Sequence, residues 1–374
     1  MKWFDIEWLE KKCPGCKYYI FFGLRSNGKT TSILRKIVKN FFKNGKCGAI
    51  LRRWKEDFKG KRAASLFDTL ISDANGHNHI KELSKGKYDR VTYLSGRWFM
   101  AYYDEELEKV IAAPEPFCFA FALTEMEHDK GQTYGQGNIT TVFLDEFMTH
   151  GMYLPDEFVL FCNVLSSIAR HRNDLTVYMA ANTVDFNGIG CPYIREMGLK
   201  NVKNMKPGDT EVYKYGGSGL QVAVMYCDAQ PEGKPSDIYF AFNNKNLKLN
   251  MITDGSWELD IFPHLQKRVE KTEIIFSYFI IFEEYIMQAD IVQRDNEAFT
   301  YIHPKTTPIK HEDSDIIFTT DANCQYNYVG RITKPINKAV RKLYWFFVAN
   351  KVFYSGNDVG EIVARYLHWC NNSK

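Results

Sequence analysis

Apolar and polar positions along the first half of the chain follow two alternating periods. Short continuous apolar runs, rich in aromatic and β-branched residues, predict buried strands, and runs with apolar residues every three or four positions predict helices. The predicted strands are 18–22, 47–51, 140–147 and 176–180, and the predicted helices are about 30–44 and 157–169. Because strands alternate with helices, the fold class is α/β, with a mostly parallel sheet and helices on both faces.

The pattern changes beyond residue 200. Gly- and Pro-rich stretches at 205–209 and 215–219 are typical of turns and linkers. β-rich segments follow, and they predict strands at 236–242, 273–282, 284–292 and 298–303. Two helical patterns close the chain, at 336–349 and 359–369. We therefore predict a first domain over 1–199, a linker over 200–222 and an α+β domain over 223–374.

Residues 23–30, GLRSNGKT, match the phosphate-binding loop G-x-x-x-x-G-K-[ST] between a predicted strand and a predicted helix. Glycines let the backbone N–H groups and the helix N-terminus face phosphate oxygens. Lys29 is expected to reach the β- and γ-phosphates, and the Thr30 hydroxyl to hold magnesium. The predicted nucleotide-binding residues are Gly23, Arg25, Ser26, Asn27, Gly28, Lys29, Thr30 and Thr31.

Two adjacent carboxylates end the predicted strand 140–147. Asp145 is the expected second protein ligand of Mg²⁺, and Glu146 is placed to orient and deprotonate the attacking water. The pair therefore indicates hydrolysis as well as binding. The chain has no N-K-x-D guanine motif, because the NKAV sequence at 337–340 lacks the acid. ATP with Mg²⁺ is the predicted cofactor pair.

Two further polar groups flank the strand at 176–180. Arg170-His171-Arg172 precedes that strand and fits either a solvated loop or a guanidinium supplied to a neighbouring subunit's γ-phosphate. Asn182 follows the strand and fits either a γ-phosphate sensor or an ordinary polar strand end.

A basic cluster interleaved with Trp54 and Phe58 follows the second predicted strand. Such a cluster is able to hold a phosphate backbone without reading sequence, although a solvated charged face has the same pattern. Its members are Arg52, Arg53, Lys55, Lys59, Lys61 and Arg62.

Composition narrows the protein class. The chain has 374 residues, 45% of them apolar, and a net charge of only +3, so nucleic-acid binding would depend on local patches. No apolar run is long enough for a membrane span and no signal peptide is evident, which predicts a soluble, intracellular protein. The nine cysteines are expected to be reduced. Cys13 and Cys16, even with His77 and His79, favour a structural turn over a zinc site.

The order and spacing of these blocks over about the first 200 residues resemble the DNA-packaging ATPases (encapsidation proteins) of small short-tailed bacteriophages. The likeness rests on the phosphate loop, ILRRWK at 50–55, VFLDEF at 142–147, LPDE at 154–157, and ARHR at 169–172 followed by Ala181-Asn182. The resemblance implies a P-loop ASCE-type ATPase that pumps double-stranded DNA through the portal of a preformed capsid, transiently at the portal vertex in the host cytoplasm.

The resemblance also implies residue roles and partners. Arg170 would act on the neighbouring subunit's ATP, with Arg172 as a helper, and Lys130 would be a second trans-acting residue. Asn182 would couple the γ-phosphate to motion. The family uses a ring of five subunits and, in its best-known members, a structural packaging RNA; no membrane is involved.

The family's second domain resembles a vestigial ribonuclease-H-type (RNase H-like) nuclease. Two-metal cleavage needs several converging carboxylates, whereas the strand predicted at 273–282 has no internal acid. Asp290, Asp315 and Asp321 lie elsewhere without a motif, so we predict no nuclease activity and a nucleic-acid-contacting role. The alternatives are a cellular DNA pump, a nucleotide-switched binding module, or an ATPase with an active nuclease.

Overall fold

The computed structural model describes residues 4–23, 27–73, 75–125, 138–149, 153–182, 191–227, 262–335 and 338–372. The chain divides into two compact units, Met1–Glu258 and Leu259–Lys374. Each has its own sheet.

The described part of the first unit is built on a nine-stranded mixed sheet. Its strands are β1 (Tyr18–Gly23), β2 (Cys47–Arg52), β3 (Arg90–Leu94), β4 (Arg97–Asp104), β5 (Lys109–Ala122), β6 (Ile139–Asp145), β7 (Thr176–Asn182), β8 (Thr210–Lys214) and β9 (Gln221–Cys227). They lie in the order β3-β4-β5-β2-β6-β7-β1-β9-β8. The six strands from β5 to β9 in this order are parallel to one another, and β3, β4 and β8 are antiparallel to their neighbours.

Helices cover both faces of this sheet. They are α1 (Ile6–Lys12), α2 (Lys29–Asn44), α3 (Gly60–Ala64), α4 (Asp68–Ile71), α5 (His79–Leu83), α6 (Glu157–Ala169) and α7 (Pro192–Glu196). One apolar cluster joins one face of the central strands to α6 and α7, and a second joins the other face to α1–α5. The central strands are buried on both faces because they are apolar at consecutive positions. The predicted mixed α/β fold with a large, mostly parallel sheet is confirmed.

The predicted linker over 200–222 is wrong, because β8 and β9 belong to the first sheet. The Gly-rich stretch after Tyr215 closes a hairpin, in which the Tyr215 N–H donates to the Leu220 carbonyl at 3.0 Å. β9 then pairs in parallel with β1 over the whole length of β1. The turn signals therefore mark a hairpin at the sheet edge, and the first unit extends beyond the predicted boundary at 199.

The second unit has a six-stranded sheet among its described residues, in the order β14-β13-β10-β11-β12-β15. Its elements are β10 (Ile274–Phe282), β11 (Tyr285–Arg294), β12 (Glu297–Pro304), β13 (Ile317–Thr319), β14 (Tyr328–Val329), α8 (Lys338–Val348), β15 (Val352–Tyr354) and α9 (Asn357–Asn372). β10, β11 and β12 form an antiparallel meander, and β13 runs parallel to β10. The three strands predicted between 273 and 303 are present; the predicted strand at 236–242 lies outside the described residues.

Candidate nucleotide site at the carboxyl edge of the first sheet

The strand ends that carry the predicted site residues meet at one edge of the first sheet. β7 pairs with β1 so that Asn182 lies opposite Gly23, and with β6 so that Ala180 lies opposite Asp145. Since parallel strands end at the same edge, Gly23, Asp145 and Asn182 lie at the ends of three consecutive strands of the sheet.

Glycine is required at the start of the phosphate loop. Gly23 has φ +150°, and a Cβ there would lie 2.7 Å from the Cys227 carbonyl oxygen on β9. Gly28, just before α2, has the left-handed φ of 85°. Both positions admit glycine at little cost and strain any other residue. Residues 24–26, including the predicted ligands Arg25 and Ser26, lie outside the described residues.

Lys29 is a buried cation at the first position of α2. Its side chain is 5% exposed, and its Nζ donates to the Gly23 carbonyl at 3.3 Å and to Asn27 Oδ1 at 3.0 Å. Burial lowers the pKa of this ammonium to about 8, against the nearby carboxylate of Asp145, which acts to raise it. A desolvated ammonium at a helix N-terminus gains stability when an anion binds beside it.

Three more polar side chains of this region, those of Thr30, Asp145 and Asn27, are suited to a metal–phosphate ligand. The Thr30 hydroxyl donates to Asp145 Oδ1 at 3.3 Å, so the two predicted Mg²⁺ ligands are adjacent. Asn27 is buried, and its Nδ2 has no hydrogen-bond partner. An unpaired buried donor beside a buried ammonium fits an anion, and paired hydroxyl and carboxylate oxygens fit Mg²⁺. Thr31 is partly buried in the first turn of α2.

Arg52 lies beside these residues, and its pairing there does not favour its prediction as a nucleic-acid contact. Its guanidinium is bound to Asp145 Oδ2, with Nε at 3.1 Å and Nη2 also in contact. The side chain is 16% exposed and that of Asp145 5%. Arg52 ends β2, which pairs directly with β6, so the parallel register brings a cation to the predicted metal ligand.

Arg53 is buried, which likewise does not favour its prediction as a nucleic-acid contact. Its guanidinium makes a two-pronged ion pair with Glu157, Nε–Oε2 2.7 Å and Nη2–Oε1 2.8 Å. Glu157 also accepts from the Tyr193 hydroxyl and the Leu154 N–H, each at 2.8 Å. With these partners the buried pair is well satisfied.

The same guanidinium fixes the backbone after β6. Arg53 donates to the carbonyl of Glu146 at 3.4 Å and to that of Phe147 at 3.2 Å. Glu146 has a left-handed φ of 56°, and its side chain is exposed at the carboxyl edge. Arg53 is therefore a positioning residue for Glu146, the predicted base. In the sequence, the only signal for this role of Arg53 was an arginine doublet at the end of a buried strand.

The rest of the basic cluster lies on the surface. Lys55, Lys59 and Arg62 are more than half exposed, and each has an acidic partner: Glu125, Glu56 and Asp57 respectively. Lys61 is exposed. These four residues keep the prediction of a nucleic-acid contact, whereas Arg52 and Arg53 do not.

Arg170 and Arg172 lie at the opposite edge of the sheet. They follow α6 and precede the amino end of β7, whereas the phosphate loop meets its carboxyl end. A seven-residue strand spans about 23 Å, so neither side chain reaches the phosphate loop of its own chain. Arg170 is exposed, with a left-handed φ of 40°.

Arg172 has a structural role at that edge. It pairs with Asp174 at 2.8 Å and donates to the carbonyls of Ile139 at 2.8 Å and Ile168 at 3.1 Å. It thereby ties the end of α6 to the start of β6, which does not favour its prediction as a catalytic helper. Lys130 lies outside the described residues.

Cys13 and Cys16 are buried in the core beside α1. Burial raises the pKa of both thiols, which disfavours the thiolates that zinc requires. The Tyr19 hydroxyl donates to the Cys13 carbonyl at 3.0 Å, as expected for a structural turn.

Among the described residues, no helix combines the length and apolar character that crossing a membrane requires.

No protein-family model and no curated protein sequence matches the chain. Solved structures do. The phi28 gp11 DNA packaging motor is 14% identical with a TM-score of 0.53, covering 100% of this chain and 98% of that one. The bacteriophage phi29 genome packaging motor assembly is 15% identical with a TM-score of 0.58, covering 98% and 99%. The chain therefore shares, over nearly its whole length, the fold of these phage packaging motor proteins.

Proposed function

We propose that this protein is an ATP-driven motor that translocates double-stranded viral DNA into a preformed capsid through the portal. The observation that carries the proposal is the joint placement of Lys29, Thr30, Asp145 and Glu146 at one sheet edge. Coverage of almost the whole chain by the two packaging motor structures supports the same reading. The strand order supports an ASCE-type (additional strand, catalytic glutamate) ATPase, because β7 lies between β1 and β6.

Each described residue then has a role toward MgATP. Lys29 neutralises phosphate charge from inside the loop, while Thr30 and Asp145 supply oxygen ligands to Mg²⁺. Glu146 takes the proton from the attacking water, and Asn182 lies on the adjacent strand end. Bound MgATP supplies the γ-phosphoryl group that is transferred to water.

Arg52 adds a contact that the sequence did not suggest. Its guanidinium binds Asp145 Oδ2, whereas the Thr30 hydroxyl lies beside Oδ1, so the two oxygens of this carboxylate have different partners. Arg52 would therefore hold the carboxylate with Oδ1 toward Thr30, and the Thr30 hydroxyl and Asp145 Oδ1 are the oxygens that would face Mg²⁺.

Arg170 acts in trans in this proposal. The length of β7 separates it from its own phosphate loop, so it completes the site of a neighbouring copy, as an arginine finger does. Subunits then associate head to tail, which closes into a ring, five-membered by resemblance. Lys130, the portal, a structural packaging RNA and action at the portal vertex in the host cytoplasm belong to the same proposal.

The second unit is proposed to be a vestigial RNase H-like domain that contacts nucleic acid without cutting it. Support comes from its sheet, in which β10–β12 form a meander and β13 and β14 run parallel beside β10. Ser277, within β10, lies opposite Asp290 and donates to its Oδ1 at 2.6 Å. A serine and a hydrogen-bonded aspartate do not replace the converging carboxylates that two-metal cleavage needs.

ATP hydrolysis by mixed variants tests the proposal. We expect Glu146→Gln and Arg170→Ala to be inactive alone, and a mixture of the two to regain DNA-stimulated activity, because each copy then supplies what its neighbour lacks. Arg97→Ala, which removes another exposed arginine of the first unit, is the matched control and should stay active. Full activity of Arg170→Ala at every protein concentration would instead support a nucleotide-switched module that works as a monomer.

A further inference from the structure

Four ionisable side chains meet around the loop between α4 and α5, outside the nucleotide site. They are Asp73, His77, His79 and Glu82. The side chains of His79 and Asp73 are 17% and 24% exposed, and those of His77 and Glu82 are about half exposed. Asp73 shapes the loop, because its Oδ1 accepts the backbone N–H groups of Asn75 at 2.8 Å and His77 at 2.9 Å.

Three possible ligand atoms converge within this cluster. His77 Nε2 lies 3.0 Å from Glu82 Oε2, and His79 Nδ1 lies 3.6 Å from the same oxygen. The three atoms are all within 4.8 Å of one another. The ligands of a tetrahedral zinc ion are about 3.4 Å apart when each bond is about 2.0–2.1 Å. Small side-chain rotations therefore suffice to bring all three atoms to one metal ion.

The hydrogen bonding of His79 orients it as a metal ligand. Its Nε2 lies 3.3 Å from Asp73 Oδ2, and its Nδ1 is buried with no hydrogen-bond partner. If Nε2 carries the proton shared with Asp73, the free lone pair of Nδ1 faces the Glu82 carboxylate. Two lone-pair donors facing each other repel unless a cation lies between them. A carboxylate on the far nitrogen of a histidine is also the usual outer support of a zinc ligand.

We propose that His77 Nε2, His79 Nδ1 and Glu82 Oε2 bind a divalent transition-metal ion, zinc being the best match. Asp73 is a positioning residue that holds His79 through Nε2. Two imidazoles and one carboxylate form a common three-ligand zinc set with a fourth position for water. The competing cation is Arg35 on α2, whose Nη2 lies 3.8 Å from Glu82 Oε2. At that distance on the surface the arginine neutralises Glu82 only weakly, so the site remains open to a metal ion.

Zinc titration of the metal-free full-length chain against a chromogenic chelator tests this assignment. We expect one Zn²⁺ per chain, at least a tenfold loss of affinity in both His77→Ala and His79→Ala, and a loss of about 10- to 100-fold in Asp73→Asn, which keeps every ligand. His311→Ala, which removes an exposed histidine elsewhere, and Cys16→Ser should bind zinc normally. The His77 side chain is half exposed, so His77→Ala should fold. This variant keeps the test decisive if His79→Ala does not fold.

Cobalt substitution and thermal unfolding supply independent readouts. Co²⁺ in the proposed site should show tetrahedral d–d absorption without a thiolate charge-transfer band, and Zn²⁺ should raise the Tm of the wild type but not of His79→Ala. Unchanged stoichiometry in both histidine variants, a thiolate band, or no zinc binding by the wild type would overturn the proposal. In that case the cluster is a hydrogen-bonded network that holds no metal ion.

Discussion

Two buried polar groups of this protein, one in each sheet, differ in how completely their charges are satisfied. At the carboxyl edge of the first sheet, Lys29 is a desolvated cation, Asn27 Nδ2 lacks a partner, and Asp145 is bound by Arg52. In the second sheet, Asp290 accepts from Ser277 at 2.6 Å, Gln288 at 2.8 Å and His303 at 3.1 Å. The polar groups in the first sheet are therefore incompletely satisfied, and we call this an open group. The Asp290 carboxylate has hydrogen-bond partners on both oxygens, and we call this a complete group.

The pKa shifts express the same difference. Burial lowers the pKa of Lys29, so its charged form is disfavoured in the ligand-free chain. Burial alone would raise the pKa of Asp290, but hydrogen bonds from His303, Gln288 and Ser277 outweigh it and lower the pKa. Sites that bind ligands tolerate poorly compensated charge, and buried structural groups do not. The contrast therefore favours ligand binding in the first sheet and a structural role for the Asp290 group.

The largest predicted effect is on Lys29. Lys29→Met should abolish ATP hydrolysis, because the phosphates lose their internal cation. Lys43→Met, an exposed lysine in the last turn of the same helix, should leave the rate unchanged. A steady-state hydrolysis assay compares the two variants. Activity in Lys29→Met would show that the nucleotide site is not at this sheet edge.

Lys29→Met should also stabilise the ligand-free chain at neutral pH. The fall in pKa from 10.5 to about 8 corresponds to about 3 kcal/mol. Because the folded pKa is below the unfolded one, the unfolded state binds more protons between pH 8 and 10.5, and wild-type stability rises across that window. Denaturant unfolding of both proteins at several pH values should show the advantage of the variant disappearing there. A constant difference would contradict the burial of the charge.

The buried Arg53–Glu157 pair resembles the complete group of the second sheet, although it lies in the first. Arg53→Ala should lower the free energy of unfolding by about 3–5 kcal/mol, because Glu157 is left buried and unpaired. Arg62→Ala, at an exposed pair, should change it by about 1 kcal/mol or less. Chemical denaturation measures both, and a loss of under about 1 kcal/mol for Arg53→Ala would mean that water reaches Glu157.

Matched substitutions of the two aspartates compare the two sheets directly. Asp290→Asn should lower the free energy of unfolding by about 1–3 kcal/mol, because the neutral amide loses charge-assisted hydrogen bonds, and it should leave ATP hydrolysis unchanged. Asp145→Asn should abolish Mg²⁺-dependent hydrolysis while changing stability less. If the two variants behaved alike in both assays, the distinction between an open and a complete group would fail.

The smallest predicted effect is a pH dependence at His303. Its hydrogen bond with Asp290 raises the pKa of the imidazole above its ordinary value. The resulting stabilisation is therefore fully present below the unfolded value of 6.5 and is lost as the pH rises through the folded pKa. The unfolding free-energy difference between wild type and His303→Gln should shrink toward alkaline pH. The same difference for His311→Gln, an exposed histidine, should stay near zero.

The sequence identifies the site residues that belong to a motif of consecutive elements. Gly23, Lys29 and Asp145 are recognisable because a strand, a loop and a helix follow one another in a fixed order. Arg52 and Arg53 are not, since a solvated arginine and one paired across neighbouring strands look the same in sequence. Their partners, Asp145 and Glu157, are about a hundred positions away. The long-range register that joins them is not encoded locally.

The hairpin of β8 and β9 and the histidine pair show the same limit. Glycine-rich turns occur in linkers and in hairpins alike, so only the pairing of β9 with β1 distinguishes them. His77 and His79 were recognisable in the sequence as possible ligands. The cysteines considered with them lie in the core beside α1, whereas the neighbours of the two histidines are Asp73 and Glu82.

The position of Arg170 at the edge opposite the phosphate loop has a countable consequence if it serves a neighbouring copy. Each subunit then has one accepting edge and one donating edge, so an open row of n subunits contains n − 1 complete sites. Ring closure adds the last one without adding a subunit. Specific activity per chain would then rise with the length of the row and reach its maximum only on closure, so the turnover rate would itself report whether the ring is intact.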